Sequence, residues 1–299
     1  MAVAAFCEGI GTGPRAVRTG ENFPVASVMI RSDLRPAIVA FYRFARAADD
    51  VADNPALLPA DKLAHLFRFS AGLRGDPEGE PAATALRACL AATGRRGLLW
   101  HADALLGAFR QDAVQGRYAH WADLLDYCSR SANPVGRFVL DLHGEGQDCT
   151  GPSDALCTTL QLLNHLQDLA DDKRRLDRVY LPTAWLAAAG TDAAALGERT
   201  LSPPMRGVID QALALTRNLL AVAATLPSRL RSRRLRGEVA TILHLAWRLQ
   251  HLLERSDPLA RRPCLSRADF LAAAAVGAWT GLRPLRSTPT LPALGSSHP

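Results

Sequence analysis

The stretch that decides the fold is Gln161–Pro182, QLLNHLQDLADDKRRLDRVYLP. An α-helix turns by about 100° per residue, so Asn164, Asp168 and Asp172, each four positions apart, are expected along one face of a helix. The preceding residues are mostly apolar, which indicates a buried helix rather than a surface helix with scattered acids. A buried carboxylate is costly unless it is paired or bound to a metal. No lysine or arginine lies three or four positions from Asp168, so a cation from outside this helix is predicted.

A second acidic stripe ends the first strongly helical segment. Asp49 and Asp53 repeat the spacing of four, and they stand at the carboxyl end of a helix, where the macrodipole disfavours negative charge. Arg46 precedes Asp49 by three positions and Asp50 by four, so it can offset only part of this charge. Carboxylate and amide oxygens suit Mg²⁺, whose shell is completed by phosphate oxygens and water. The two stripes together predict a Mg²⁺–diphosphate site.

Basic residues accompany both acidic stripes. Arg46 lies beside the first, and a cluster follows the second: Lys173, Arg174, Arg175 and Arg178. Acids, bases and apolar helices in this combination indicate a substrate with an anionic head and a hydrocarbon tail. Loss of diphosphate from such a substrate would leave a carbocation, which the apolar helix faces would shield from water. A non-catalytic helical scaffold whose acids merely bind cations is the alternative.

Composition predicts an all-α protein. Hydrophobic residues make up 48% of the 299 residues but aromatic residues only 6%, so strand-favouring residues are sparse. One helical domain is predicted over residues 1–282, followed by a disordered tail over 283–299 that is rich in Pro, Ser and Gly. Six scattered cysteines without metal-type spacing argue against zinc and against a disulfide framework. A cytoplasmic protein is therefore expected.

The chain shows neither a secretory signal nor a membrane-spanning segment, because its longest uncharged apolar run, residues 270–282, is too short to cross a bilayer. The formal net charge is +6, and its densest cluster is RLRSRRLR at Arg229–Arg236. This cluster suits an anionic membrane surface, or it is simply a solvated helix face. Nucleic acid is not expected as a partner, since no stacking platform or binding motif accompanies the arginines.

Apolar periodicity predicts a series of helices with short breaks. The first begins near Arg35 and ends at Asn54-Pro55, because a residue before proline disfavours the α conformation. A loop is expected over 72–81, an interruption at 134–136 and a polar loop over 144–152. The remaining helices are expected over 82–93, 97–117, 120–130, 204–226, 235–255 and 266–282.

Two segments resemble the aspartate motifs of the squalene and phytoene synthase family. YRFARAADDVAD (Tyr42–Asp53) is similar to the first motif, and QLLNHLQDLADD (Gln161–Asp172) is similar to the second, N-x-x-x-D-x-x-x-D. The resemblance spans roughly residues 21–282. The segments most similar to the branch of the family in bacterial hopanoid pathways, the hydroxysqualene synthases, are ENFPVAS (Glu21–Ser27), FRQD (Phe109–Asp112) and DYCSRSANPVGR (Asp126–Arg137).

The resemblance implies a class I isoprenoid synthase fold with a cavity between the two aspartate-bearing helices. It also implies Mg²⁺, or Mn²⁺, held by Asp49, Asp53, Asn164, Asp168 and Asp172. The residues that it places on the substrate are Asn22, Tyr42, Arg46, Gln161, Arg178 and Tyr180, of which Tyr42, Arg46 and Gln161 line the reacting carbons as catalytic residues. Two departures from the family pattern are Gln167, where several relatives carry arginine, and one additional residue between Asp172 and Tyr180.

By the same resemblance, the expected reaction converts presqualene diphosphate to hydroxysqualene and diphosphate, as a carbon–oxygen lyase. No nicotinamide cofactor is expected, because the chain shows no dinucleotide fingerprint. The alternatives are presqualene diphosphate, squalene or phytoene synthase, which join prenyl diphosphates head to head as farnesyl-diphosphate farnesyltransferases do. The expected partners are the isoprenoid diphosphate and, at the inner face of the membrane, lipid or other enzymes of the squalene pathway.

Overall fold

The structure is a computed structural model that describes residues 31–283. Over these residues the all-α expectation is confirmed, because the only β element is an isolated parallel bridge between Arg117 and Val179. The longer helices are α1 (Arg35–Ala52), α2 (Pro59–Arg74), α3 (Pro81–Ala92), α4 (Leu99–Asp112), α5 (Trp121–Ser131), α6 (Asn133–His143), α7 (Thr150–Gln167), α8 (Leu169–Leu176), α9 (Thr183–Ala188), α10 (Pro203–Ala223), α11 (Leu226–Arg229), α12 (Arg233–Arg255) and α13 (Arg267–Leu282). Short 3₁₀ turns cover Arg96–Leu98, Gln147–Cys149 and Ala193–Gly197.

The first acidic stripe rests on a core formed by helices α1 to α4. Phe41 and Phe44 project from α1 into this core and are fully buried. Phe41 stacks on Phe138 of α6, with 4.0 Å between the ring centroids, and Phe44 meets Phe69 of α2 edge to face at 5.8 Å. Each fully buried phenylalanine contributes about 1.5–3 kcal/mol. This packing holds the carboxyl end of α1, and so the first stripe, in a fixed position.

A second core surrounds α7, which carries the residues before the second stripe. Leu156, Leu160 and Leu163 are buried in this core with apolar residues of α10, α12 and the segment after α8. Helix α6 belongs to both cores, because Phe138 faces the first and Leu140 faces the second. The expectation of a buried helix before Asn164 is therefore confirmed.

The spacing predicted that the second stripe lies on one continuous helix, and this prediction is wrong. Asp168 adopts φ −105° and ψ 15°, so it ends α7 and precedes α8. Its N–H still donates to the carbonyl of Asn164 at 2.9 Å, and the N–H of Asp172 donates to the carbonyl of Asp168 at 2.8 Å. The four-residue hydrogen-bond pattern thus continues across the break, and the backbone bends at the central acid of the stripe.

Most predicted helices are confirmed within a few residues, including the end of α1 before Asn54-Pro55. The predicted loop at 72–81 is wrong at its start, because α2 continues to Arg74 and Gly75 caps it with φ 95°. The break predicted at 134–136 lies earlier, at Ala132, since Pro134 is tolerated in the first turn of α6. The polar loop predicted to end at Pro152 is also shorter, because α7 begins at Thr150.

Several sequence predictions concern residues that the structure does not describe. Asn22, the Glu21–Ser27 motif and the tail beyond Arg283 lie outside residues 31–283. Within that range, none of the helices has both the length and the apolar character needed to cross a membrane. The five cysteines in this part of the chain are free thiols.

Candidate active site

The first stripe follows one face of α1 through Tyr42, Arg46, Asp49 and Asp53. Asp49 is buried, and this burial raises the pKa of its carboxyl. The two guanidinium nitrogens of Arg46 divide between Asp49, at 3.7 Å, and the exposed carboxylate of Asp50, at 2.8 Å. The predicted partial compensation by Arg46 is therefore observed, and its closer contact goes to the exposed acid.

Arg178 neutralises the end of the first stripe from a distant part of the chain. Its Nη1 donates to Asp53 Oδ1 at 2.5 Å, and its Nη2 donates to the carbonyls of Ala52 and Asp112, both at 3.0 Å. The side chain is only 6% exposed. Arg178 therefore joins α1, the end of α4 and the segment after α8, and it is the member of the basic cluster that contacts the first stripe.

Asp168, the central acid of the second stripe, pairs with Arg262 from the connection between α12 and α13. Arg262 donates through Nε at 2.5 Å and through Nη2 at 3.2 Å to the two carboxylate oxygens. Arg262 Nη2 also donates to Gln167 Oε1 at 3.0 Å. Gln167, one of the two departures noted in the sequence, is therefore in direct contact with an arginine from another segment.

Within residues 31–283, Asp172 forms no ion pair with an arginine or a lysine. The ion-pair contact of Asp172 is with a histidine, His165, whose Nδ1 lies 3.9 Å from Asp172 Oδ2. Burial lowers the pKa of His165 well below its usual value, so the ring is neutral and offers no countercharge. Burial raises the pKa of Asp172 to about 7, and the negative charge of Asp53 contributes to that increase. The two stripes are therefore close enough to interact electrostatically.

Gln161 and Tyr180 surround His165 on the face of α7 that carries the stripe. The amide Nε2 of Gln161 lies 2.9 Å from His165 Nε2, and the ring of Tyr180 stacks on His165 with 3.3 Å between centroids. The Oε1 of Gln161 is buried without a hydrogen-bond partner in the described part of the chain. A buried acceptor without a hydrogen-bond partner costs about 1–3 kcal/mol.

Asp112, at the end of α4, lies between Arg178 and a cluster of tyrosines. The hydroxyl of Tyr127 donates to Asp112 Oδ2 at 2.9 Å, whereas Oδ1 is buried without a hydrogen-bond partner among residues 31–283. Burial raises the pKa of Asp112 to about 7. Asp112 belongs to the FRQD segment noted in the sequence, but nothing in that segment indicates its contact with Arg178.

The basic residues after the second stripe open onto a surface depression of about 730 Å³. Arg178 forms part of its wall, so the depression adjoins the acidic stripes. Asp177 offsets part of the positive charge of this depression, because it pairs with Arg117 at 2.8 Å. Its cationic lining residues are Lys62, Arg117, Arg174, Arg175 and Arg178.

The described contacts link part of the predicted set: Arg178 pairs with Asp53, and Gln161, Tyr180 and Asp172 all lie near His165. The two carboxylates of each stripe, with Tyr42, Arg46, Gln161, Asn164, Arg178 and Tyr180, lie on α1, α7, α8 and the segment after α8. Among residues 31–283, no three His, Cys, Asp or Glu side chains form a preassembled metal cluster. Mg²⁺ typically takes only one or two carboxylates, with phosphate oxygens and water completing its shell. An oxygen-only donor set divided between two stripes fits such an ion bound together with a diphosphate.

Comparison with known proteins gives consistent matches. The model of the squalene/phytoene synthase family matches residues 16–269. The hydroxysqualene synthase of Zymomonas mobilis is 43% identical over 86% of this chain and 87% of its own length. That of Sinorhizobium fredii is also 43% identical, over 87% of this chain and 89% of its own length. The crystal structure of squalene synthase HpnC from Alicyclobacillus acidocaldarius superposes with a TM-score of 0.66 at 29% identity, covering 76% of this chain and 86% of that one.

Proposed function

We propose that this chain, which belongs to the squalene/phytoene synthase family, converts presqualene diphosphate to hydroxysqualene and diphosphate in a Mg²⁺-dependent reaction. The expected class I isoprenoid synthase fold is confirmed by its structural neighbours. The chain is an enzyme of the kind that acts on isoprenoid diphosphates in head-to-head synthesis. Our proposal adds to this the substrate presqualene diphosphate, the lyase reaction and the dependence on Mg²⁺.

The metal-site proposal rests on the proximity of two stripes of mostly buried carboxylates, in which the charge of Asp53 contributes to the raised pKa of Asp172. Mg²⁺ would be held by Asp49 and Asp53 on α1 and by Asn164, Asp168 and Asp172 on the second stripe. When bound, the metal would stabilise the negative charge that develops on the leaving diphosphate. Because Asp172 forms no ion pair with an arginine or a lysine among residues 31–283, a divalent cation would supply its countercharge.

Arginine side chains of the site would position the diphosphate. Arg46 lies on the same face of α1 as Asp49 and is partly exposed, so its guanidinium can reach an anionic head. Arg178 and Arg262 pair with Asp53 and Asp168, and in this way they hold both carboxylates in place. Apolar side chains that face the acids would enclose the hydrocarbon and exclude water from it.

The reaction breaks the carbon–oxygen bond of presqualene diphosphate, and the electron pair leaves with diphosphate. The resulting cyclopropylcarbinyl cation rearranges to an allylic cation, which forms a carbon–oxygen bond with water and loses a proton to give the alcohol. We favour capture by water over capture by hydride because two relatives that match over 86% or more of this chain are hydroxysqualene synthases. No nicotinamide cofactor enters this reaction.

Product analysis in ¹⁸O-labelled water tests the proposal. The full chain is incubated with Mg²⁺ and presqualene diphosphate, without nicotinamide cofactor, and the lipids are identified by mass spectrometry. We expect hydroxysqualene that carries one ¹⁸O atom, and no product when a chelator is present. A parallel incubation with farnesyl diphosphate alone should give no new lipid.

Other products would assign the chain to another member of the family. Squalene that forms only when NADPH is added, without labelled alcohol, would make the chain a reductive squalene synthase. Presqualene diphosphate formed from farnesyl diphosphate would make it a presqualene diphosphate synthase, and phytoene formed from geranylgeranyl diphosphate would make it a phytoene synthase. Each of these results would overturn the proposed reaction.

A further inference from the structure

Helix α13 is attached to the body of the protein through its contact with α12. Gly277 allows this contact, because a Cβ atom at that position would lie 2.0 Å from Oγ1 of Thr241 and 2.7 Å from the carbonyl of Gly237. At the other end of the contact, Arg248 Nε donates to Asp269 Oδ1 at 2.7 Å. The inner face of α13 is thus closely packed, and the helix is held firmly in one orientation.

The opposite face of α13 is also apolar, but it is exposed. We define this outer face by Leu271, Ala275, Trp279 and Leu282, whose spacing places them on the side away from Gly277. Leu271 is 73% exposed, Trp279 61% and Leu282 75%. No charged residue lies between Asp269 and Arg283, so the solvent side of this helix lacks the polar residues that a surface helix ordinarily carries. An exposed apolar patch of this kind is typical of an interaction surface.

Arginines surround the outer face at both ends. Arg267 begins α13, and Arg283 follows its end with the guanidinium carbon 4.9 Å from the ring centre of Trp279. Gly281 lies against the backbone of Arg233, so the start of α12, with the exposed side chains of Arg233 and Arg234, adjoins the same end. Within residues 31–283, none of these four arginines forms an ion pair. These arginines therefore present uncompensated positive charge around the apolar patch.

We propose that the outer face of α13 docks onto an anionic lipid bilayer, with the surrounding arginines against the lipid headgroups. Apolar side chains with a tryptophan suit the boundary between headgroups and acyl chains, and arginines near an anionic surface add electrostatic attraction. The positive charge of the surrounding arginines favours a bilayer over a second copy of the chain as the partner. Two outer faces brought together would also bring together two sets of arginines, which repel each other. The inference goes beyond the proposed reaction and does not depend on it.

Vesicle co-sedimentation of the full chain, without substrate, tests this surface. The unmodified protein should bind vesicles of phosphatidylcholine with phosphatidylglycerol, and binding should weaken as salt increases. Replacing Leu271 and Trp279 together by Glu should lower the partition coefficient about tenfold or more, because the apolar contact is lost and like charge is introduced. Replacing Arg233 and Arg234 together by Gln should lower the partition coefficient about thirtyfold, from a contribution of about 1 kcal/mol for each arginine near the surface.

Phe67→Glu is the matched control, because Phe67 is 58% exposed on α2 and also lies beside an arginine, Arg110. This variant should bind vesicles as the unmodified protein does. Trp279→Phe should also retain binding, which separates loss of the apolar contact from a structural effect of losing Trp279. Equal unfolding midpoints of all variants would confirm that α13 remains in place.

Four results would overturn the proposal. The first two are that the unmodified protein does not bind vesicles, or that it binds pure phosphatidylcholine vesicles equally well. The third is that Phe67→Glu loses as much binding as the variant with Glu at positions 271 and 279. The fourth is a concentration-dependent dimer that Leu271→Glu with Trp279→Glu abolishes. The last result would assign the outer face to an interface between copies of this chain.

Discussion

The two acidic stripes have the same spacing of carboxylates but are compensated in different ways. On α1 the helix is unbroken, and the arginine that relieves Asp49 is Arg46 of the same helix. On the second stripe the backbone bends at Asp168, and the compensating arginine, Arg262, lies 94 positions away along the chain. One stripe is therefore balanced partly by its own segment, and the other depends on tertiary contacts.

This difference matters because, in the described part of the chain, Asp172 has no arginine or lysine within ion-pair distance. Asp49 and Asp53 are served by Arg46 and Arg178, whereas Asp172 faces a neutral histidine at 3.9 Å. Carboxylates that remain undercompensated after folding are the natural ligands for a divalent cation. The second stripe should therefore depend on metal more than the first does.

The largest predicted effect is on turnover. Asp49→Asn, Asp53→Asn, Asp168→Asn and Asp172→Asn should each lower kcat about 100-fold or more, because each removes a carboxylate that would hold the Mg²⁺ needed for departure of diphosphate. The adjacent acids provide matched controls, since Asp50 and Asp171 are more exposed and pair with Arg46 and Arg174. Their Asn variants should retain near-parental turnover in a diphosphate-release assay. Equal losses in buried and adjacent variants would remove the basis for a two-stripe site.

The next effect is on stability, and it should be larger for the more buried of the two arginines, Arg178, than for Arg262. Arg178→Gln should lower the free energy of unfolding by about 3–5 kcal/mol, because it leaves Asp53 and two carbonyls without their buried partner. Arg262→Gln should cost only about 1–2 kcal/mol, since its side chain is 29% exposed and water can replace part of the contact. Urea unfolding without Mg²⁺ measures both values.

A double variant tests the cause of the Arg178 effect. Adding Asp53→Asn to Arg178→Gln should recover part of the lost stability, because the uncompensated charge is then absent. If the double variant is as unstable as the sum of the two single variants, the contact between these side chains is not the reason for the loss.

A smaller effect concerns pH. Burial raises the pKa of Asp112 from 3.8 to about 7 in the folded protein, so between these values the folded state holds a proton that the unfolded state has released. Stability should therefore fall as pH rises through this window, by about 1.4 kcal/mol per pH unit for one proton. Asp112→Asn should remove this part of the slope, as measured by urea unfolding from pH 4 to 7. An unchanged slope would show that Asp112 ionises normally.

Local features of the sequence were sufficient for the all-α fold and for both stripes. The end of α1 follows from the proline at position 55, and the burial of α7 follows from its apolar composition. The pairing of Arg46 with Asp49 and Asp50 follows from helical spacing alone. Each of these features depends on residues within a few positions of each other, so periodicity and helix geometry determine them.

Features that depend on distant contacts could not be predicted in this way. The bend at Asp168 has no proline or glycine to mark it, and Arg262 is one of many arginines in the chain. The contact of Arg178 with Asp53 brings together residues 125 positions apart. Asp112 is an acidic residue beside polar residues in sequence, so its burial follows only from the packing of α4 against the tyrosines.

The central claim is that the two stripes form one Mg²⁺–diphosphate site, and calorimetric titration of inorganic diphosphate into the full chain tests it most directly. Binding should require Mg²⁺, and Asp53→Asn and Asp172→Asn should each weaken it. The double variant should lose little more than either single variant, because both stripes then act on the same bound ligand. Binding without Mg²⁺, or losses that simply add in the double variant, would contradict a shared site.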